Sequence, residues 1–183
     1  MRDLSLHLLD LTQNSVTAGA SLVEILLTLE ENGWLTMVIR DDGRGMSPEL
    51  LARVTSPFAT TRTTRKVGLG LPLLRLAAEQ TGGTLEVESR EGVGTTVTAV
   101  FHAGHIDCPP LGDMAATVAL LVQGLPEETE LSYTYKTGRI KMETHIRVAV
   151  EEIPEYTVTF PTMIEGCVLT VRSKNEKITS GSK

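Results

Sequence analysis

A chain of 183 residues, 41% apolar and 22% charged, is long enough to bury a core and suits one compact domain with an appendage rather than two full domains. Its 17 basic and 23 acidic residues give a formal net charge of −6 with no basic block, which argues against nucleic acid or an anionic membrane as the main partner. No apolar run reaches the roughly 20 residues of a membrane span and no signal-peptide core opens the chain, so a cytoplasmic protein is expected. Cys108 and Cys167 stand alone, as reduced thiols would.

The spacing of Leu4, Leu8, Leu11 and Ser15 predicts a helix over residues 4–18, with Asp3, His7, Asp10 and Asn14 sharing a second face. Residues 22–29 read as an apolar strand, and Asn32-Gly33 marks a hairpin whose return strand occupies residues 34–40. This leads straight into Asp41-Asp42-Gly43-Arg44-Gly45-Met46. Ser47-Pro48-Glu49 has the cap, proline and acid that start a helix, expected to run to about Val54. Residues 59–66 show no apolar periodicity and read as a mobile polar loop ending at Gly68-Leu69-Gly70.

A helix follows from Leu71 to Gly82-Gly83, then strands over residues 84–89 and 95–101. Residues 104–112, with Pro109 and Pro110, read as a linker. Asp113 is placed to cap a helix through Gln123. Residues 131–135 and 140–144 flank Thr137-Gly138 as a hairpin, whereas residues 146–153 fit strand and helix periods equally well. Residues 113–171 are expected to form a small α+β appendage, and the polar residues 172–183 a disordered tail.

The segments His7-Leu-Leu-Asp10-Leu-Thr-Gln-Asn14, Asp41-Asp-Gly43-Arg-Gly45-Met46 and Val67-Gly68-Leu69-Gly70-Leu71 occur in that order, with Gly94-Thr95 behind them. Residues 1–103 thereby resemble the GHKL, or Bergerat-fold, ATP-binding domain of gyrase-type topoisomerases, heat-shock chaperones, sensor histidine kinases and MutL. The resemblance implies an α/β sandwich: a mixed, mostly antiparallel sheet with helices on one face, binding ATP and Mg²⁺. The whole chain, including Pro110-Leu-Gly-Asp113-Met114, also resembles small stand-alone ATP-binding proteins that accompany iron-hydrogenase genes in anaerobic bacteria.

Chemistry fits each motif. An amide oxygen at Asn14 suits Mg²⁺, which needs one or two protein ligands beside phosphate. Asp41 is placed to accept from the adenine amine, with Gly43, Gly45 and Met46 lining the approach. Gly68, Leu69, Gly70 and Leu71 present amides at a helix start, where phosphate is favoured. Lys66, with Arg62 and Arg65 near it, is placed to reach the phosphates, a solvated surface charge being the competing reading. Phe58 matches the phenylalanine box of sensor kinases, although a plain core aromatic fits equally, and Thr95 the family hydroxyl that supports the adenine-reading carboxylate. Asp10 stands where family members place a glutamate general base. His7 fits a helix-surface histidine better than a group supporting the site. His102, His105 and Cys108 lack a fourth ligand for zinc.

The expected function is a Mg²⁺-dependent phosphotransferase acting on a separate protein, since no phospho-acceptor histidine domain is recognised in the sequence. The alternative is an ATP-controlled binding switch with slow or no hydrolysis. A gyrase-like motor lacks a transducer segment of adequate length. Expected partners are ATP and one further protein, without nucleic acid or membrane, and a homodimer is compatible with the resemblance.

Overall fold

The computed structural model describes residues 3–55, 70–137 and 142–148. Helix α1 (Leu4–Thr17) begins at Asp3, whose carboxylate accepts the Leu6 N–H at 3.0 Å. Strands β1 (Leu22–Leu29) and β2 (Trp34–Asp41) pair antiparallel. Gly33 takes φ +87° in their turn, a conformation a Cβ would strain, while Asn32 accepts the Trp34 N–H. Helices α2 (Pro48–Thr55) and α3 (Gly70–Gln80), strands β3 (Thr84–Arg90) and β4 (Gly94–His102), helix α4 (Met114–Gly124) and strands β5 (Glu130–Thr137) and β6 (Met142–Val148) follow.

The strands form one sheet in the order β3-β4-β2-β1-β5-β6. Every neighbouring pair is antiparallel except β1 and β5, so the sheet is mixed as expected. Period-two alternation sends Val23, Ile25 and Leu27 of β1, Leu35, Met37 and Ile39 of β2, and Val97, Ala99 and Phe101 of β4 into the core, while Glu24 stays exposed. Helix α1 packs on β2 between α3 and α4, and α3 lies over β3 and β4. Burying those side chains removes the unpaired apolar face that either layer would present alone.

Residues 114–148 share this sheet and helix layer with residues 4–102. Asp113 caps α4 by accepting the Ala116 N–H at 2.9 Å. The segment expected as a linker is fastened to α1: Pro110 and Leu111 carbonyls accept the Leu4 and Ser5 N–H groups, two of the donors that a helix start leaves unpaired. The strand-or-helix ambiguity is resolved through Val148 by pairing with β5, which supplies the backbone partners that periodicity alone does not reveal. The expected tail and Cys167 lie outside the described residues.

One side chain departs from expectation. His7 is only 2% exposed, inside the layer rather than on the helix surface. Burial pulls its pKa down to about 4, against the opposing charge of Asp3, and its Nδ1 has no hydrogen-bond partner. A buried neutral imidazole behaves here as a core side chain.

Candidate functional site

The antiparallel register of β2 and β4 sets Asp41 opposite Thr95, at the end of the sheet covered by the last turns of α1. There the two residues line a cavity of about 270 Å³ together with Asn14, Gly45, Met46 and Leu71. Its volume is near the lower end of the roughly 300–1,000 Å³ typical of small-molecule sites. A larger concavity of about 580 Å³ lies against the other face of the sheet, among Glu24, Arg40, Glu88 and Thr96. It shares Asp41 and Thr95 with the smaller cavity and is lined besides by Asp42, Ser89 and Arg90.

Asp41 is held from two sides. The Ser15 hydroxyl donates to its Oδ2 at 2.6 Å and the Gly43 N–H to its Oδ1 at 3.0 Å. Each carboxylate oxygen retains a lone pair, so an oriented acceptor remains for an amine. Ser15 lies within 3.3 Å of the Leu11 carbonyl as well, but its single hydrogen favours the shorter, charge-assisted bond. Asp42 serves another purpose. It accepts from the Ser21 hydroxyl and from the Ser21 and Leu22 N–H groups. Burial works against its charge, yet these bonds outweigh it and keep its carboxyl below the usual range.

The glycines clear space that the protein itself fills. A Cβ on Gly43 would come within 2.9 Å of the Ala18 Cβ. Gly45, at φ +63°, would run into the Arg90 carbonyl, and Gly94, at φ +134°, into that of Asp41. The motif loop and the turn joining β3 to β4 thus interlock backbone against backbone. A serine completes the lock: Ser89 accepts the Met46 N–H, donates to the Gly94 carbonyl and stands 2.9 Å from the Thr95 hydroxyl.

Asn14 is exposed at the cavity wall, one turn beyond Asp10 on α1. Among the described residues the Oδ2 of Asp10 is buried without a partner, against the first residue of α3, where any Cβ on Gly70 would collide with it. An unpaired carboxylate oxygen beside a helix start suits an environment into which protons or cations come with a ligand. Asp41, Gly45, Met46, Asn14, Leu71 and Thr95 therefore stand around one cavity, Gly43 holds Asp41 from behind it, and Asp10 and Gly70 touch. Phe58, Lys66, Gly68 and Leu69 lie outside the described residues, as do Arg62 and Arg65.

Two supporting residues have no role in the sequence reading. Ser15 is legible there only as an inner-face position of α1, though its place directly after Asn14 is a usable cue. Ser89 carries no local signal beyond facing inward on its strand. The isolated histidines do not converge: His102 packs edge-on against Trp34 with ring centroids 5.2 Å apart, and His105 accepts the Asp107 N–H. Burial pushes the Cys108 thiol up. Among the described residues no group of three His, Cys, Asp or Glu side chains is close enough to hold a metal, and no helix is long and apolar enough to cross a membrane.

The sequence profile of the histidine kinase-, DNA gyrase B-, and HSP90-like ATPases matches residues 2–105. Histidine protein kinase DivJ of Caulobacter vibrioides is 42% identical over 71 residues, covering 37% of this chain and 12% of the kinase. Sensor histidine kinase ZraS of Escherichia coli K12 is 35% identical over 92 residues, 50% of this chain and 20% of that protein. The chain thus spans a fifth or less of the length of these curated relatives. The crystal structure of the N-terminal domain of a DNA repair protein shares the fold, with a TM-score of 0.53 at 14% identity over 81% of this chain and 53% of that one.

Proposed function

Because the chain belongs to the family of histidine kinase-, DNA gyrase B-, and HSP90-like ATPases, we propose that its ATP-binding domain is a Mg²⁺-dependent phosphotransferase acting on a separate protein. The observation that carries this reading is the buried, unpartnered Asp10 Oδ2, one turn before the exposed Asn14 amide and against the start of α3. A carboxylate oxygen with no donor among the described residues is suited to take a proton from a substrate.

In this reading Asp41 accepts from the adenine amine, oriented by Ser15 and Gly43. The side-chain oxygen of Asn14, exposed at the cavity wall, would hold Mg²⁺. The amide of Gly70 at the start of α3 would meet the phosphates, and the resemblance assigns Lys66, Gly68 and Leu69 to the same task. Bound Mg²⁺–ATP supplies an electrophilic γ-phosphoryl group with ADP as leaving group. Asp10 takes the proton of the acceptor hydroxyl as its oxygen bonds to phosphorus and the bond to the β–γ bridging oxygen breaks. Exclusion of water by the surrounding elements would favour transfer over hydrolysis.

A second reading, an ATP-controlled binding switch, draws on a different observation. The turn at residues 18–21 is gripped on one side by the motif loop, through Arg44 N–H to the Ala18 carbonyl at 3.0 Å. On the other it is gripped by the residue before β5, through Thr129 Oγ1 to the Ala20 carbonyl at 3.0 Å, and by the first residue of β5, through Glu130 N–H to the Ser21 carbonyl at 2.8 Å. Incubating the chain with γ-labelled ATP and cell extract separates the two. Label moving to another protein is expected for the phosphotransferase. Capture of a partner that depends on ATP, without labelled protein, would replace it with the switch.

A further inference from the structure

A helix on the surface of a domain turns an apolar stripe to the core and charged or polar side chains to water. Helix α4 shows no such division. None of its 11 residues carries a charge, and Leu120, outside its buried stripe, is 58% exposed. The rest of the helix layer continues the pattern. Asp10 of α1 meets Gly70 of α3, and α1 ends and α3 begins at the cavity, so these two helices run antiparallel. One turn from that contact, away from the cavity, stand Leu6 on α1 and Leu73 on α3, with Leu76 a turn further on; they are 42%, 36% and 52% exposed. Of the exposed positions on α1, α3 and α4, Glu79 alone is charged, while Asp10 and Arg75 are half-buried.

The opposite face of the sheet is built as a solvated face is, with Glu24, Arg40, Glu86, Glu88 and Arg90 at exposed strand positions. Depletion of charge around exposed leucines is instead the composition of an interface core. We infer that the outer face of α1, α3 and α4 is the contact surface for a second copy of this chain, related by a two-fold axis. Charge selects this occupant. A net charge of −6 makes copies repel, and meeting through the uncharged helix layer turns the charged sheet faces outward, where they are farthest apart. Area is sufficient as well. Helices of 14, 11 and 11 residues are about 21 and 17 Å long, and three of them about 10 Å apart cover roughly 500 Å². Two such faces bury about 1,000 Å², at the threshold for specific association, so the dimer is reversible with a Kd on the order of micromolar.

Sedimentation of the full chain between about 1 and 200 μM tests this, the mean mass being expected to rise from one chain toward two. Leu120→Glu and Leu76→Lys, on different helices and of opposite charge, should each weaken association about tenfold or more by burying a charge in an apolar contact. The lysine makes the net charge less negative, so its effect does not come from overall repulsion. Either variant suffices if the other folds poorly. Ile106→Glu, at a side chain 94% exposed and off the helix layer, should leave association as it was. Raising salt from about 0.05 to 0.5 M should tighten the dimer, since screening weakens the repulsion between copies. A dimer indifferent to the helix variants, one dispersed equally by Ile106→Glu, or one loosened by salt overturns the inference. So does a chain monomeric throughout, which would leave the face to residues 149–183 or to another protein.

Discussion

At Asp41 both carboxylate oxygens, the Ser89 hydroxyl and the Met46 amide are hydrogen-bonded within the protein. On α1, one turn before Asn14, Asp10 buries an oxygen with no partner among the described residues, and deeper in the layer His7 buries a nitrogen likewise unpartnered. The first region is complete before any ligand arrives. The second keeps groups whose desolvation is uncompensated, a cost tolerable in a fold only where it is small or where a ligand removes it. Recognition of a flat, neutral base profits from groups that do not have to move, since nothing is then spent on ordering them. Handling of a highly charged phosphate chain profits from groups left without internal partners, because cations and protons arrive with the ligand.

Breaking the phosphate side should have the largest effect on chemistry and the least on binding. Asp10→Asn preserves shape and is expected to lower phosphoryl transfer about 10²–10⁴-fold in single-turnover assays while ATP affinity stays as in the parent. A change below about threefold would reject Asp10 as the base and favour the switch, or transfer to a neutral histidine nitrogen that needs no base.

The second effect concerns stability and pH. The unfolded chain protonates His7 near its ordinary 6.5, while the folded one resists until about 4. Stability is therefore full above pH 6.5 and is lost as pH falls toward 4, by on the order of 3 kcal/mol. His7→Leu should flatten this slope, seen as a smaller difference between urea midpoints at about pH 7 and about pH 5. An unchanged slope would assign the acid sensitivity to other groups.

Breaking the adenine side should act on binding alone. Asp41→Ala removes a charged acceptor at a cost of about 1.5–3 kcal/mol, roughly a ten- to hundredfold loss of ATP affinity by calorimetry in a folded protein. Ser15→Ala leaves the carboxylate in place but removes one of its two orienting donors. About a fivefold loss is expected, with phosphoryl transfer at saturating ATP unchanged. If Ser15→Ala lowers transfer at saturation instead, the two regions are coupled more tightly than their hydrogen bonds suggest.

Much of this molecule is legible locally. Asp113 announces the helix it caps and Asn32-Gly33 the hairpin, and alternation along residues 34–40 tells which side chains enter the core, whereas Asp3, read as part of a polar helix face, is the cap of α1. The motif Asp41-x-Gly43-x-Gly45 is equally plain, because a turn's requirements act on adjacent residues. The roles of its glycines are less so: what Gly45 avoids is the Arg90 carbonyl, which no nearby residue foretells.

The sequence by itself thus determined the order and type of most elements, the cap at Asp113 and the motifs that resemble those of the family, since each depends on preferences within a few residues. Only the tertiary structure decided that β5 lies parallel to β1, that His7 is buried, that Asp10 meets Gly70, and that Ser89 joins Met46 to Thr95. These contacts link residues as far as 43 apart, at Met46 and Ser89, or 109 apart, at Ala20 and Thr129. Neither a period of 2 nor one of 3.6 extends over such distances; the partners meet because two amphipathic layers must bury their apolar faces together, and that closure is a property of the whole chain.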